Sequence, residues 1–410
     1  MPIQDELAIS QADYEAAESQ ILETIDRSKN ELLEVSRTIH SNPETAYNEH
    51  KAAALLAQKL EEKGFQVQRK AADLDTAFIA TAGREASPTI AVLAEYDALP
   101  VIGHACGHNL MATAALGAGF ALRSVIDKLP GRVAVFGTPA EEGGGGKVVM
   151  VNRGAFKEVD AALIFHPSTI NTVGGSSLAA TRVNVAFRGR ASHAAAAPDK
   201  GINALDAVIQ MFNAANALRQ QLRDDARVMG IITNGGQAAN IIPDFASAHF
   251  SIRAKDRKYA DEVLAKFRRC AEGAALATGA TLEFTVLESS RYDNMVNNGP
   301  MARVFEEKLQ KLGLEVDASD SKDGSGSTDM GNVSQVVPSI HPYLAIAPVG
   351  VNAHSIEFRE AAGSERGQET MLNAARALAL TALDLLAKPA LLQQARQDFA
   401  EQAARGFVIE

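Results

Sequence analysis

Apolar residues recur at helical spacing over Asp13–His40, where Ile21, Ile25, Leu32, Val35 and Ile39 share one face, and Asn42-Pro43 ends the segment. A second amphipathic helix is predicted over Glu49–Lys63, with Ala53, Leu56 and Leu60 inward, Gly64 as its cap and a strand starting at Phe65-Gln-Val67. Short apolar runs at Ala77–Ala80 and Ile90–Leu93 read as strands, and the small-residue stretch Met111–Leu129 as a helix packed closely on something flat. Arg132–Phe136 and Ala161–Phe165 repeat the buried-strand pattern. Each of the runs at Ile90, Arg132 and Ala161 delivers polar groups just past its C-terminal end. Strands of this kind alternating with helices predict a largely parallel α/β sheet, whose sites lie in the crevice beyond the strand ends.

Near Thr181 the texture changes. Val183, Val185 and Phe187 alternate with polar neighbours, a helix follows from about Asn203, and Ala246–Ile252 alternates again. A helix over Tyr259–Thr278 and a strand at Leu282–Val286 complete a β-α-β-β-α-β order, the ferredoxin-like α+β arrangement. This second domain is expected over 180–296 as an insertion between two parts of the α/β domain, 1–179 and 297–410. After Pro300 the α/β character returns, with helices over Ala302–Leu312 and Gln368–Leu386 and a short strand at Tyr343–Ile346.

Composition narrows the function classes. With 410 residues, 46% hydrophobic and 22% charged, the chain has the make-up of a globular protein large enough for two domains. A net charge of −10 argues against a nucleic-acid surface and favours cations. Two cysteines imply no disulfide framework and fit a reducing compartment. The acidic N-terminus lacks the apolar core of a signal peptide, and no segment reads as a membrane span, so a cytoplasmic protein is expected.

Candidate chemistry concentrates after the Ile90 strand. Glu95 and Asp97 are followed by a Pro-Gly loop that delivers His104, Cys106 and His108. Two imidazoles, a thiol and two carboxylates in so short a span have the composition of a metal site, and a tight turn through Gly107 can aim Cys106 and His108 at one ion. Glu141-Glu142 beside a glycine run is the second feature. Adjacent carboxylates repel, so one calls for a cation while the other can act as a base. The run Gly143–Lys147 fails as a phosphate loop, because Val148 stands where Ser or Thr is required. His166 follows its strand directly, and His354 ends a loop-rich stretch. Ser192-His193 makes no nucleophile–base pair, since sequence neighbours do not face each other that way.

Four motifs carry a resemblance. Glu95-Tyr-Asp97-Ala-Leu-Pro100, His104-Ala-Cys106-Gly-His108, Pro139-Ala-Glu141-Glu142-Gly143-Gly144 and Phe187-Arg-Gly-Arg-Ala-Ser-His193-Ala are similar to those of the M20 metallopeptidase family, nearest to its amidohydrolase branch. The resemblance implies a two-metal hydrolase domain with an inserted lid domain, dimeric through the lid. It implies one or two divalent ions, zinc or manganese, held by Cys106, His108, Glu142, His166 and His354, with Cys106 shared. Glu141 would be the general base and Asp97 the group orienting a ligand. His193 would stabilise the oxyanion, from its own chain or across a dimer, while Asn240 and Arg253 would grip a substrate carboxylate. Ser327 and Asp329 would line the pocket. The implied reaction is hydrolysis of an amide bond next to a free carboxylate in N-acyl or N-aroyl amino acids or dipeptides. A carboxypeptidase acting on short peptides and a non-catalytic ligand-binding protein on the same scaffold stay open as alternatives. Two positions depart from the pattern: Glu95 replaces the wider family's first histidine, and Asn109 stands where the branch often has Asp.

Overall fold

A computed structural model describes residues 7–84, 88–317 and 326–408 and divides the chain into two compact units. In chain order the first unit begins with α1 (Gln11–Ser41), α2 (His50–Glu62), β1 (Gln66–Arg69), β2 (Phe78–Gly83), β3 (Thr89–Ala94), α3 (His108–Arg123), β4 (Arg132–Gly137), α4 (Gly146–Asn152), β5 (Ala161–Leu163) and β6 (His166–Ser168). The second unit, whose main segment is Ser177–Asn294, holds β7 (Ala179–Arg188), β8 (Ser192–His193), α5 (Ala204–Arg219), β9 (Arg227–Asn234), β10 (Ile241–Ile242), β11 (Phe245–Ala254), α6 (Arg257–Thr278) and β12 (Thr281–Val286). The chain then returns to the first unit with α7 (Gly299–Lys311), α8 (Met330–Ser334), β13 (Ser339–Ile340), β14 (Tyr343–Ala345), α9 (Ile356–Gly363), α10 (Glu365–Ala387) and α11 (Pro389–Ala404).

The first unit is built on a sheet of order β1-β2-β4-β3-β5-β13. The pairs β4–β3, β3–β5 and β5–β13 are parallel, while β1 and β2 form an antiparallel edge. Every residue of β3 is buried, including Ile90, Val92 and Leu93, because helices cover both faces of such a sheet. Each fully buried aliphatic side chain there contributes about 1.5–3 kcal/mol. The parallel strands share one direction, so the segments after β3, β4 and β5 emerge along one edge. That edge receives Glu95 and Asp97, Glu141 and Glu142, and His166.

Helix α1 starts where Ser10 Oγ accepts from the Asp13 amide, and it buries Ile21, Ile25, Leu32, Val35 and Ile39. Helix α3 begins at His108, earlier than its sequence pattern predicts, and stops at Arg123 rather than at Leu129. The expectation that no segment reads as a membrane span is corrected at α10, which is long and apolar enough to cross one. In this structure α10 is a core helix, largely buried and packed on α1, α3 and α7. Its Asp384 is satisfied by the Tyr14 hydroxyl at 2.5 Å and by Lys308 at 2.7 Å.

The second unit has an antiparallel sheet of order β12-β7-β11-β9, with Val183, Val185, Phe187, Phe250 and Ile252 facing α5 and α6. Strand β9, which the sequence pattern did not reveal, is an edge of this sheet and exposes Met229, Ile231 and Ile232.

Candidate metal centre

The strained turn before α3 delivers the first two ligand candidates. Gly107 has φ +82°, and a Cβ there would come within 2.8 Å of the Pro167 ring, so only glycine makes this turn. Cys106 precedes it and His108 opens the helix, both buried. His108 Nδ1 faces the Asp97 carbonyl at 2.8 Å and Asp97 Oδ1 at 3.2 Å, which leaves Nε2 directed away from them. Asp97 Oδ2 accepts the Glu142 amide at 2.9 Å, so one buried carboxylate orients both the imidazole and the acidic loop.

Two groups of three ligand atoms share Cys106. One comprises Cys106, His108 and His166, the other Cys106, Glu142 and His354, and in each the atoms lie within 4.8 Å of one another. Cys106 Sγ is 3.4 Å from His166 Nε2, and His354 Nε2 is 3.4 Å from Glu142 Oε1. Two ligands of one tetrahedral ion stand roughly 3.3–3.8 Å apart, given bond lengths of about 2.0–2.3 Å. His108 Nε2 and Glu142 Oε1 are buried without a well-formed hydrogen bond, a costly condition that a cation removes. Burial, then Glu142, pushes the Cys106 thiol up, so a thiolate there needs adjacent positive charge. The residues therefore fit divalent cations: each group could hold one, and Cys106 belongs to both. His354 reaches the group from a backbone with φ +62°, tied by its amide to the Ala105 carbonyl at 2.9 Å.

Glu141 is buried beside this cluster. An oxygen of Glu141 lies within 4.8 Å of both His108 and Glu95, and burial followed by the charges of Glu95 and Glu142 raises its carboxyl. In Glu142, burial works upward, but the imidazoles of His354 and His108 pull the carboxyl below its ordinary range. The adjacent carboxylates thus have opposed environments.

The sequence pattern gave no sign of the partners of Lys147. Its ammonium is fully buried, 2.7 Å from Glu95 Oε1 and 2.7 Å from Asp329 Oδ1, and its amide donates to Asp329 Oδ2 at 2.9 Å. The lysine of the failed phosphate loop instead neutralises buried carboxylates. Asp329, expected to line the pocket, is buried with both its oxygens bonded to Lys147. His104 stacks on His40 at 6.2 Å and joins none of the ligand groups found among the described residues. His341 and Tyr343 pack their rings 5.5 and 5.3 Å from His166, contacts no local motif signals. Asn109 donates to Ser36 Oγ and to the Ala362 carbonyl, both at 3.1 Å, and an ionised aspartate could donate to neither.

Four expected residues belong to the second unit. His193 is exposed, and its Nδ1 accepts from the Ala195 and Ala196 amides at 3.3 and 3.1 Å. The ring proton is thereby assigned to Nε2. Asn240 lies beside it, since its carbonyl accepts the Ala194 amide and β10 pairs with β8. Arg253 is on β11, its guanidinium partly buried, and the Ser327 hydroxyl is buried.

Known proteins resemble this chain in sequence and in fold. Peptidase family M20/M25/M40 matches residues 71–381. Xaa-Arg dipeptidase of Mus musculus is 42% identical over 95% of this chain and 94% of its own length. A p-aminobenzoyl-glutamate hydrolase chain of Escherichia coli K12 is 30% identical over 92% of this chain and 93% of its own. Among solved structures, the aminobenzoyl-glutamate utilization protein of Klebsiella pneumoniae has a TM-score of 0.72 at 20% identity, covering 88% of this chain and 97% of that one. A dinuclear metal binding peptidase of the M20 family from Bacillus subtilis gives 0.65 at 22%, covering 87% and 99%. The structural likenesses show the fold, and the sequence matches reach further: this chain belongs to peptidase family M20.

Proposed function

We propose that this protein is a metal-dependent hydrolase of the amide bond beside a free carboxylate, acting on dipeptides or N-acyl amino acids. The observation that carries this reading is the pair of ligand groups meeting at Cys106 with Glu141 beside them. Cys106, His108 and His166 would hold one divalent ion, and Cys106, Glu142 and His354 the other, zinc or manganese in each case. When bound, such ions polarise a carbonyl and make a water acidic. Glu141 takes the proton of the attacking water and passes it to the leaving nitrogen. The Nε2–H of His193 is a donor for the developing oxyanion. Arg253 and Asn240 recognise the free carboxylate, Arg253 by its planar fork.

The 42% identity to a protein named Xaa-Arg dipeptidase favours dipeptides with a basic C-terminal residue as the first substrates to try. The exposed apolar edge at β9 supports a homodimer formed through the second unit. The two free cysteines fit a cytoplasmic setting.

The test is hydrolysis of a panel of dipeptides ending in Arg, Lys, Glu or Leu, their C-terminal amides, and N-acyl amino acids. We expect cleavage of free acids only, lost on chelation and restored by zinc or manganese. Chelator-resistant cleavage, or equal cleavage of the amides, would overturn the reading.

A further inference from the structure

Glu49 lies outside every motif above, in the turn that opens α2, and is fully buried. Its Oε1 accepts two amides, Tyr47 N–H at 2.9 Å and Ala140 N–H at 2.9 Å, and its Oε2 accepts the Thr76 hydroxyl at 2.9 Å. Both amides belong to non-glycine residues in the left-handed region, each with φ +62°. For a residue with a Cβ that conformation is strained, and it persists only where surrounding contacts hold it. Ala140 immediately precedes Glu141. On the far side of Glu141, the Glu142 amide is held by Asp97. The amides flanking Glu141 are therefore each fastened to a buried carboxylate.

The same turn braces the loop a second time. Tyr47 donates its hydroxyl to the Gly144 carbonyl at 2.6 Å, and a Cβ on Gly144 would lie 2.3 Å from the tyrosine ring. The Gly144 and Gly145 amides close back onto the Ala140 carbonyl at 2.9 and 2.8 Å. The missing side chain at Gly144 thus leaves the tyrosine ring room to approach the loop backbone.

We infer that the Tyr47–Glu49 turn is a clamp and that Glu49 is a positioning residue for Glu141, acting through the left-handed Ala140. The inference rests on the reading of Glu141 as the proton carrier. A carboxylate that must reach both a water and a leaving nitrogen tolerates little displacement, and misplacement by about 1 Å can cost on the order of 10²-fold in rate.

The experiment compares Glu49→Ala, Glu49→Gln and the double variant Glu49→Ala/Ala140→Gly with the parent chain. It reads kcat, KM, metal per chain and hydrogen exchange of the 138–145 segment. Glu49→Ala should lower kcat by on the order of 10²-fold, leave KM and metal content near the parent values, and speed exchange in that segment. Glu49→Gln keeps an oxygen for both amides and should retain most of the rate. Ala140→Gly removes the left-handed strain, so the double variant should recover part of the lost kcat, which a merely structural Glu49 would not permit. Unchanged exchange in Glu49→Ala overturns the clamp whatever the kinetics show. A double variant no faster than Glu49→Ala overturns the positioning role. Should Glu141→Gln keep full kcat, the function reading fails, while the exchange result still decides the clamp.

Discussion

Glu141 and Glu142 are chemically identical neighbours with different partners, and substitution separates them. Glu142 faces His354, so Glu142→Gln should lower metal content, with activity partly restored by excess metal. Glu141→Gln preserves shape while removing the basic oxygen, and kcat should fall by about 10²–10⁴-fold with metal retained. Paired metal titrations and kcat values check both, and loss of metal from Glu141→Gln alone would reverse the roles. Lys147 gives a stability test. Lys147→Met strands Glu95 and Asp329 in the interior, and losing one partner of a buried pair costs about 3–5 kcal/mol, read as a fall in the denaturation midpoint. The motif residues were legible because they stand as short strings after apolar runs. Lys147 with Asp329, and Glu49 with Ala140, were not, because their partners lie 182 and 91 positions away along the chain.

At the scale of elements, the strands whose burial is continuous or cleanly alternating could be read directly, as β3, β4, β7 and β11 show. Strand β9 escaped because it has no such rhythm: Met229, Ile231 and Ile232 are all exposed, with Gly230 between them. An alternation appears only where one face of a strand meets a core and the other meets water. Two apolar neighbours on an open edge instead invite pairing with another strand. Ile231→Lys should therefore convert a dimer into monomers, measured by sedimentation, without changing the helical signal of the fold. A dimer unaffected by this charge would place the interface elsewhere. Helix α11 was hidden for a different reason, since most of its apolar positions are alanine and only Leu391, Leu392 and Ala395 are buried.

For the whole molecule, Glu49 links stability to pH. Burial, then the charge of Asp97, pushes its carboxyl up to about 7 from the ordinary 4.5. The folded state thus binds the proton more tightly than the unfolded chain. Between about pH 4.5 and 7 stability falls as pH rises, by at most about 3 kcal/mol, and above 7 the full penalty remains. Glu49→Gln should flatten that part of the thermal-midpoint profile between pH 5 and 8, and an unchanged profile would assign the slope to other groups. The order of segments along the chain has a further consequence, for synthesis on the ribosome. Four of the five ligand candidates precede the inserted unit, whereas His354 and the core helix α10 come after it. A chain growing from its N-terminus therefore leaves the side of α3 that packs on α10 uncovered until α10 has emerged, while the contiguous Ser177–Asn294 segment already contains every strand of its own sheet. The inserted unit should accordingly reach protease resistance on stalled ribosomes first, and the metal centre last, only after nearly the entire polypeptide is available.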